Sequence, residues 1–435
     1  MLYFCFTHKK GWPMKKVVRS VKGTRDIYPD TMKIRRFIID AIKNSSERFG
    51  YQEYDAPCLE SVELYAAKSG DELVKEQSFV FPDRGGDLIV LRPELTPSLA
   101  RMVAEKQSEL VFPLRWWSFG PFWRYERPQK GRSREFNQWN IDLIGSNSAE
   151  GDAELVAVAA DFMNSVGLSS DKVKIYVNNR RLLDSSLEEI GIDTDIRRSI
   201  TRLIDRLDKL SSDVWDSLAI EAGVTMEQLD GIKSLLSDKD LWKKSQELIT
   251  FFDVVDWLGV ADYVEFDPRI IRGLDYYTGT VFEGWDVDRK YRAILGGGHY
   301  DNLVAAVGGD PLPGVGFAMG DVVIELILQE MNCIPQKAKV PSSVLVTIFS
   351  EEYKEFTFRT STVLRNQGFN IITYPSAEKL SKQLKFADRI GAKIAVIAGP
   401  DEVIENKITI KNLVDNSQKT VDQNTAGYEI RKLLD

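Results

Sequence analysis

Histidine and cysteine are scarce in this chain. Among its 435 residues there are two histidines, His8 and His299, and three cysteines, Cys5, Cys58 and Cys333. The cysteines are widely scattered and form no CxxC pair. That argues against a disulfide framework or a structural zinc site and fits a reducing cytosol. Two histidines nearly exclude a His-rich transition-metal centre. No apolar run approaches the roughly 20 residues that span a bilayer, so no membrane partner is expected. The opening MLYFCF is too short for a signal-peptide core and lacks a basic region before it. Met14 opens MKKVVRS as a second candidate start, and no function is placed in residues 1–13. A Walker-type GxxxxGK[ST] loop is absent, and GVGFAMG lacks the dinucleotide spacing. Bulk positive charge is missing too, with 57 Lys+Arg against 65 Asp+Glu. Residues 341–435 are close to neutral, with 13 cations and 12 acids. Any nucleic-acid contact therefore has to use local patches.

What is present is ordinary soluble-protein text, enough for roughly two or three domains. Residues 32–50 carry apolar positions at helical spacing and stop at Gly50. YQEYDAPCLES reads as extended, with Pro57 marking an edge or bend. DLIVLRP, LRWWSFGPFWRY and the alternating FNQWNIDLIG read as strands, followed by a helix in GDAELVAVAADFMNSVG. The pattern is α+β rather than regular βαβ repetition. Charged helical text from about 180 to 257 reads as an insertion. Strand text then returns in YVEFDPRIIRGLDYYTGTVFEGW and YRAILGGG. PQKAKVP, ending at Pro341, reads as a linker. The expected division is therefore a first domain over 1–335 and an α/β module over 341–435. In that module Leu380, Leu384, Ala387 and Ile390 share one helix face.

Three segments carry chemistry. In LRPELTPSLAR, Arg92 and Glu94 end a strand, and Thr96 offers a hydroxyl between Pro93 and Pro97. A carboxylate and hydroxyl so fixed suit an ammonium ligand, although such a segment is more often a structural turn. RYERPQKGRSREFNQ places five cations and two glutamates in fifteen residues between apolar strands. Arg124 at a strand end is arranged for bidentate contact with phosphate or carboxylate. Gln138 and Asp142 point to the same side of the returning strand, and Phe136 can cover an aromatic ring. In IIRGLDYYTGTVFEG, Arg272 stands among apolar residues beside the pair Tyr276–Tyr277. A buried arginine needs an anionic partner, either a ligand or, structurally, Asp275.

These segments resemble histidyl-tRNA synthetase, a class II aminoacyl-tRNA synthetase family, over nearly the whole chain from about Lys15. KGTRDIYPD resembles the family's opening signature, and APCLES resembles motif 1, whose proline (Pro57) lies at a dimer interface. FWRYERPQKGRSREFNQ resembles motif 2. RGLDYYTGTVFE and GGGHYDNL resemble the two histidine-specific signatures. The text from KQLKFADRIGAKIAVIAGPDE to ITIKNL resembles the family's anticodon-binding domain. The resemblance implies a class II antiparallel-sheet catalytic domain with a helical insertion, followed by an α/β anticodon-binding domain. It implies a cytoplasmic homodimer that activates L-histidine with ATP and Mg²⁺ and charges tRNA(His). In those terms Arg124 contacts the α-phosphate and the substrate carboxylate, and Arg272 the α-phosphate. Glu126 and Phe136 hold adenine, and Arg132 reaches the outer phosphates. Glu94, Thr96 and Gln138 bind the α-amino group. Asp142 and Tyr277 read the imidazole with Tyr276 beside them.

The chain departs from the family pattern in three places. His299 stands where an arginine is frequent, Asp142 where glutamate is frequent, and Val323 where motif 3 ends in an ATP-binding arginine. Lys130, Arg132 or Arg134 is expected to supply the missing cation, with His299 a weaker candidate. Asp321 is expected to point away from the phosphates or to help hold Mg²⁺. The competing reading is a non-charging paralogue, the regulatory subunit of ATP phosphoribosyltransferase. Such paralogues generally lack the anticodon domain and erode the histidine signature, and this chain keeps both.

Overall fold

The computed structural model describes residues 17–66, 77–272, 277–335 and 344–434. The chain divides into two compact units, Met1–Ile334 and Pro335–Asp435.

The first unit is built on two sheets. Its strands are β1 Gln52–Glu53, β2 Leu59–Ser61, β3 Phe79–Pro82, β4 Leu88–Leu91, β5 Leu114–Trp123, β6 Glu135–Ile144, β7 Val173–Asn179, β8 Val264–Phe266, β9 Thr280–Asp286, β10 Leu295–Tyr300 and β11 Gly314–Gly320. The large sheet runs β1-β5-β6-β11-β10-β9-β7-β8, and β2-β4-β3 form a small separate sheet. Only β1–β5 and β7–β8 pair in parallel, so the α+β expectation holds.

Strand period decides which face carries what. On β6, Trp139, Ile141 and Leu143 enter the apolar core, while Gln138, Asn140 and Asp142 face the other way. The core side is covered by the helices Pro29–Arg48, Ala149–Ser165 and Asp321–Glu330. Ala149–Ser165 is buried over most of its surface and is capped by Ser148, whose hydroxyl accepts from the Gly151 N–H.

Five helices from Arg180 to Trp257 fill the connection between β7 and β8. Their Ile200, Trp215, Ile232, Leu248 and Phe251 belong to the same apolar cluster as the sheet. The insertion therefore shares the unit's core instead of forming its own.

The second unit has β12 Val344–Val346, β13 Ile371–Thr373, β14 Ile394–Ile397, β15 Lys407–Asn412 and β16 Gln418–Asp422, in the order β13-β12-β14-β15-β16. β12 pairs in parallel with both β13 and β14, and β15–β16 add an antiparallel hairpin. On the helix Leu380–Arg389 the buried positions include a polar one, Gln383. Its amide accepts from the Ile348 N–H at 2.9 Å and donates to the Ile348 carbonyl at 2.7 Å. It thus continues the hydrogen bonding of the chain just past β12.

Candidate active site

A cavity of about 810 Å³ opens on the polar face of the large sheet. It gathers Glu94, Thr96, Arg124, Arg132, Gln138, Asp142, Arg272 and Tyr277, drawn from all three segments singled out in the sequence. Tyr276, and the Asp275 considered as a partner for Arg272, lie outside the described residues. Glu126 and Phe136 do not line the cavity. Glu126 instead pairs with Arg132 at 2.9 Å, and the Arg124 guanidinium stacks 5.4 Å from the Phe136 ring.

The sheet register builds the floor as two rows. In one, Asp142, Gly316, Gly298 and Val281 stand side by side on β6, β11, β10 and β9. In the next, Asn140, Ala318, Gly296 and Glu283 do the same. The glycines are there for space. A Cβ on Gly316 would lie 2.1 Å from the Asp142 carboxylate. One on Gly296 would lie 1.9 Å from Arg272 Nη1, and one on Gly298 2.8 Å from the Tyr277 ring. The GGG run is thus a bare strip of backbone on which an arginine and a tyrosine rest.

Arg272 donates from Nη1 to Glu283 Oε1 at 2.8 Å, and its carbonyl accepts from Arg180 at 2.9 Å. The Trp285 indole N–H holds the other Glu283 oxygen at 3.0 Å. The anion partnering Arg272 among the described residues is therefore Glu283, eleven residues along and set beside it by the β9–β10 register. Arg124 is anchored from Nε to the Pro93 carbonyl at 2.9 Å. Arg92 is fully buried and structural, bonded to Asp55 at 2.9 Å and to the carbonyls of Ala56 and Pro121.

Asp142 is buried and accepts from the Tyr300 hydroxyl at 3.0 Å. Burial raises its carboxyl pKa to about 7, against the opposing pull of that hydrogen bond. A carboxyl so poised gains from a ligand N–H that favours its charged form. Asn140 and Gln138 share its face, and neither Asn140 Nδ2 nor Gln138 Oε1 has a hydrogen-bond partner among the described residues. Asn140 was legible through period, since it alternates with Gln138 and Asp142, whereas Tyr300 and Glu283 reach the cavity through pairings that the folded sheet sets.

Asp321 points away from the cavity. It is buried against Arg25 at 2.8 Å and Arg35 at 3.3 Å, and it accepts from the Asn137 backbone N–H at 3.0 Å. His299 is not a cavity cation. It lies 2% exposed on the opposite face of β10, with Nδ1 2.9 Å from Asp152 and Nε2 3.4 Å from Asp301. Burial acts to lower its pKa, yet the hydrogen bond and charge of Asp152, with the charge of Asp301, carry it above the usual value. Of the loop cations, Arg132 lines the cavity, while Lys130 sits over the Tyr291 ring and Arg134 over the Tyr125 ring.

Comparison with known proteins gives concordant matches. Residues 23–321 match the family model for histidyl-tRNA synthetase, and 343–433 match that of an anticodon binding domain. A histidine–tRNA ligase of Haloarcula marismortui is 35% identical over 417 residues, covering 92% of this chain and 95% of the relative. The crystal structure of histidyl-tRNA synthetase from a Nostoc species superposes with a TM-score of 0.81 at 25% identity, over 96% of this chain and all of that one. A Bacillus halodurans protein described as an ATP phosphoribosyltransferase regulatory subunit/histidyl-tRNA synthetase shares the fold, at TM-score 0.71 and 21% identity over 86% of this chain and 97% of that one. The chain belongs to the histidyl-tRNA synthetase family.

Proposed function

We propose that the cavity activates L-histidine with ATP to histidyl-adenylate and passes the histidyl group to the 3′ end of tRNA(His), releasing pyrophosphate and AMP. The observation that carries this reading is the pairing of two floor rows in one cavity. One row presents a hydrogen-bonded carboxyl at Asp142 beside Tyr277 and Tyr300. The next presents the Arg272 guanidinium fixed over bare backbone.

In this reading Asp142 and Tyr277, with Tyr276, take the imidazole, and Glu94, Thr96 and Gln138 hold the α-amino group. Arg124 and Arg272 flank the α-phosphate, where charge builds as the histidine carboxylate attacks and pyrophosphate leaves. Fixed guanidiniums stabilise that charge without reorganising, and orientation of carboxylate to phosphorus supplies much of the rest. Glu126 and Phe136, expected to hold adenine, lie behind the lining and hold the guanidiniums of Arg132 and Arg124, with Arg132 toward the outer phosphates.

No group of three or more metal-ligating side chains occurs among the described residues. Glu283 is already engaged by Arg272, and Asp142 by Tyr300. Mg²⁺ therefore enters as part of the nucleotide substrate, held mainly by phosphate oxygens and water.

The C-terminal unit serves the tRNA. There Lys379, Lys382 and Lys385 line a shallow pocket with Glu378, which pairs with Lys382 at 2.7 Å, leaving a local cationic excess in a nearly neutral unit. The small sheet exposes Leu59, Val80, Phe81 and Leu88, next to the motif 1 segment around Pro57. Leu59 and Phe81 stand on the sheet face opposite buried Val90, and that face is the self-complementary surface of a two-fold homodimer. No helix among the described residues is long and apolar enough to cross a membrane, and the scattered cysteines fit a cytoplasmic setting.

Histidine-dependent exchange of labelled pyrophosphate into ATP tests the reading. Exchange requiring histidine supports it. A folded chain that binds histidine yet exchanges nothing would instead favour the regulatory paralogue.

A further inference from the structure

The register Leu295↔Met319 brings the start of β10 beside the end of β11. The turn before β10 therefore lies next to Gly320 and the first residues of the helix Asp321–Glu330. That turn is held rigidly. Asp286, 2% exposed, accepts from the backbone N–H groups of Lys290 at 2.7 Å and Tyr291 at 3.1 Å. Lys290 and the Tyr291 hydroxyl both bond Glu330 at the far end of the same helix. From the other side the cationic loop docks on the turn, with Lys130 5.1 Å from the Tyr291 ring centroid.

Arg292 projects from this turn into the cavity lining. A Cβ built on Gly131 of the cationic loop would lie 3.7 Å from Val323 Cγ2 and 4.0 Å from Arg292 Cδ. Arg292 and Val323 thus both border Gly131, and of the two only Arg292 lines the cavity, while Val323 brings no charge.

Of the other arginines of the lining, Arg124 is tied by Nε to the Pro93 carbonyl and is assigned to the α-phosphate, and the rest are in ion pairs. Arg132 pairs with Glu126, Arg272 with Glu283, and Arg269 and Arg289 both with Asp267. Arg292 is exposed and makes no ion pair with a described residue. The nearest acid on the adjoining helix, Asp321, is taken up by Arg25 and Arg35. A guanidinium pre-positioned by a braced turn, open to a cavity and free of carboxylates, is arranged for an anionic ligand.

We propose that Arg292 binds the terminal phosphates of the nucleoside triphosphate, supplying from the β9–β10 turn the charge that position 323 lacks. This rests on the reading of the cavity as an ATP site. It adds to the expected loop cations one that the sequence did not single out.

Two variants, Arg292→Ala and Arg292→Lys, test it, both at an exposed position that leaves the core untouched. In pyrophosphate exchange, Arg292→Ala should raise the KM for ATP about tenfold, the scale of one lost charge-assisted bond, and leave that for histidine within about twofold. Arg292→Lys should fall between, since a point charge replaces the fork only in part. An unchanged KM for ATP, or equal increases for both substrates, overturns the proposal. Calorimetry decides it separately from turnover. Weakened ATP binding with AMP binding unchanged supports a role at the outer phosphates, and equal ATP affinity in variant and wild type refutes it. Failure of exchange in the wild type would count against the reaction, whereas the calorimetric comparison bears on Arg292 alone.

Discussion

The floor and the rim of the cavity are built on different principles. The floor is four adjacent strands, β6, β11, β10 and β9, whose register sets each side chain against a particular glycine. The rim is a loop and a turn, Arg124–Arg134 and 287–292, with Arg132, Lys130, Arg134 and Arg289 held by ion pairs or aromatic rings and Arg292 left open to the cavity. On the floor a single methyl group meets an atom well inside contact distance. On the rim a charge acts over several ångströms and can be supplied from more than one backbone position. The floor should therefore tolerate almost no change, while the rim should tolerate exchange of one cation for another. Val323 with Arg292 nearby is such an exchange.

The largest effect should come from Arg272→Lys. A lysine cannot keep the fork between Glu283 and a phosphate, so exchange should fall about 100-fold or more with little change in melting temperature. A stable variant with near-normal exchange would reduce Arg272 to a structural partner of Glu283. Next is Gly296→Ala, which touches no substrate in this account. Its methyl group would displace the Arg272 guanidinium, and a shift of about 1 Å at a reacting group costs roughly 100-fold. Retained activity in that variant would show that Arg272 can work from elsewhere and that the floor is less rigid than described.

Asp142→Asn separates the substrates. The KM for histidine should rise about ten- to a hundredfold, and that for ATP should stay nearly constant. Equal losses would remove Asp142 from ring recognition. The pH dependence has a definite sign. Because burial raises the Asp142 carboxyl to about 7, the folded chain holds a proton there that the unfolded chain has already released. This contribution to stability is full below about pH 4, the ordinary aspartate range, and is lost as pH rises through about 7. Asparagine should abolish the decline, leaving a variant that melts higher than wild type at pH 8 while binding histidine more weakly. A variant that melted lower at pH 8 would contradict the assigned cost of the charged carboxylate.

The smallest effect on the site itself belongs to the small sheet. Phe81→Asp places a charge on its exposed apolar face, twice over in a two-fold interface, and should weaken self-association at least tenfold. Light scattering at micromolar concentration reads it. A wild-type monomer mass would remove the interface altogether.

What could be read from sequence follows the range of the interaction. The alternation of FNQWNIDLIG already puts Gln138 and Asp142 on one face, because a half-buried strand has to alternate. Asn140 obeys the same rule. The glycines of β10 were visible, but not what they make room for. Gly296 with Arg272, and Gly316 with Asp142, meet through pairings that only the folded sheet specifies. The direction of Asp321 was open for the same reason, since its partners Arg25 and Arg35 lie almost three hundred residues earlier. Arg292 escaped notice because nothing local marks a surface arginine in a turn. Only the adjacency of β10 and β11 gives it a place.

The most direct test of the account is exchange of labelled pyrophosphate into ATP by the full chain, with each standard amino acid supplied in turn. The account predicts exchange with histidine alone, lost in Arg272→Lys and recovered in Asp142→Asn only at raised histidine concentration. Exchange supported equally by another amino acid, or none with histidine, would contradict it.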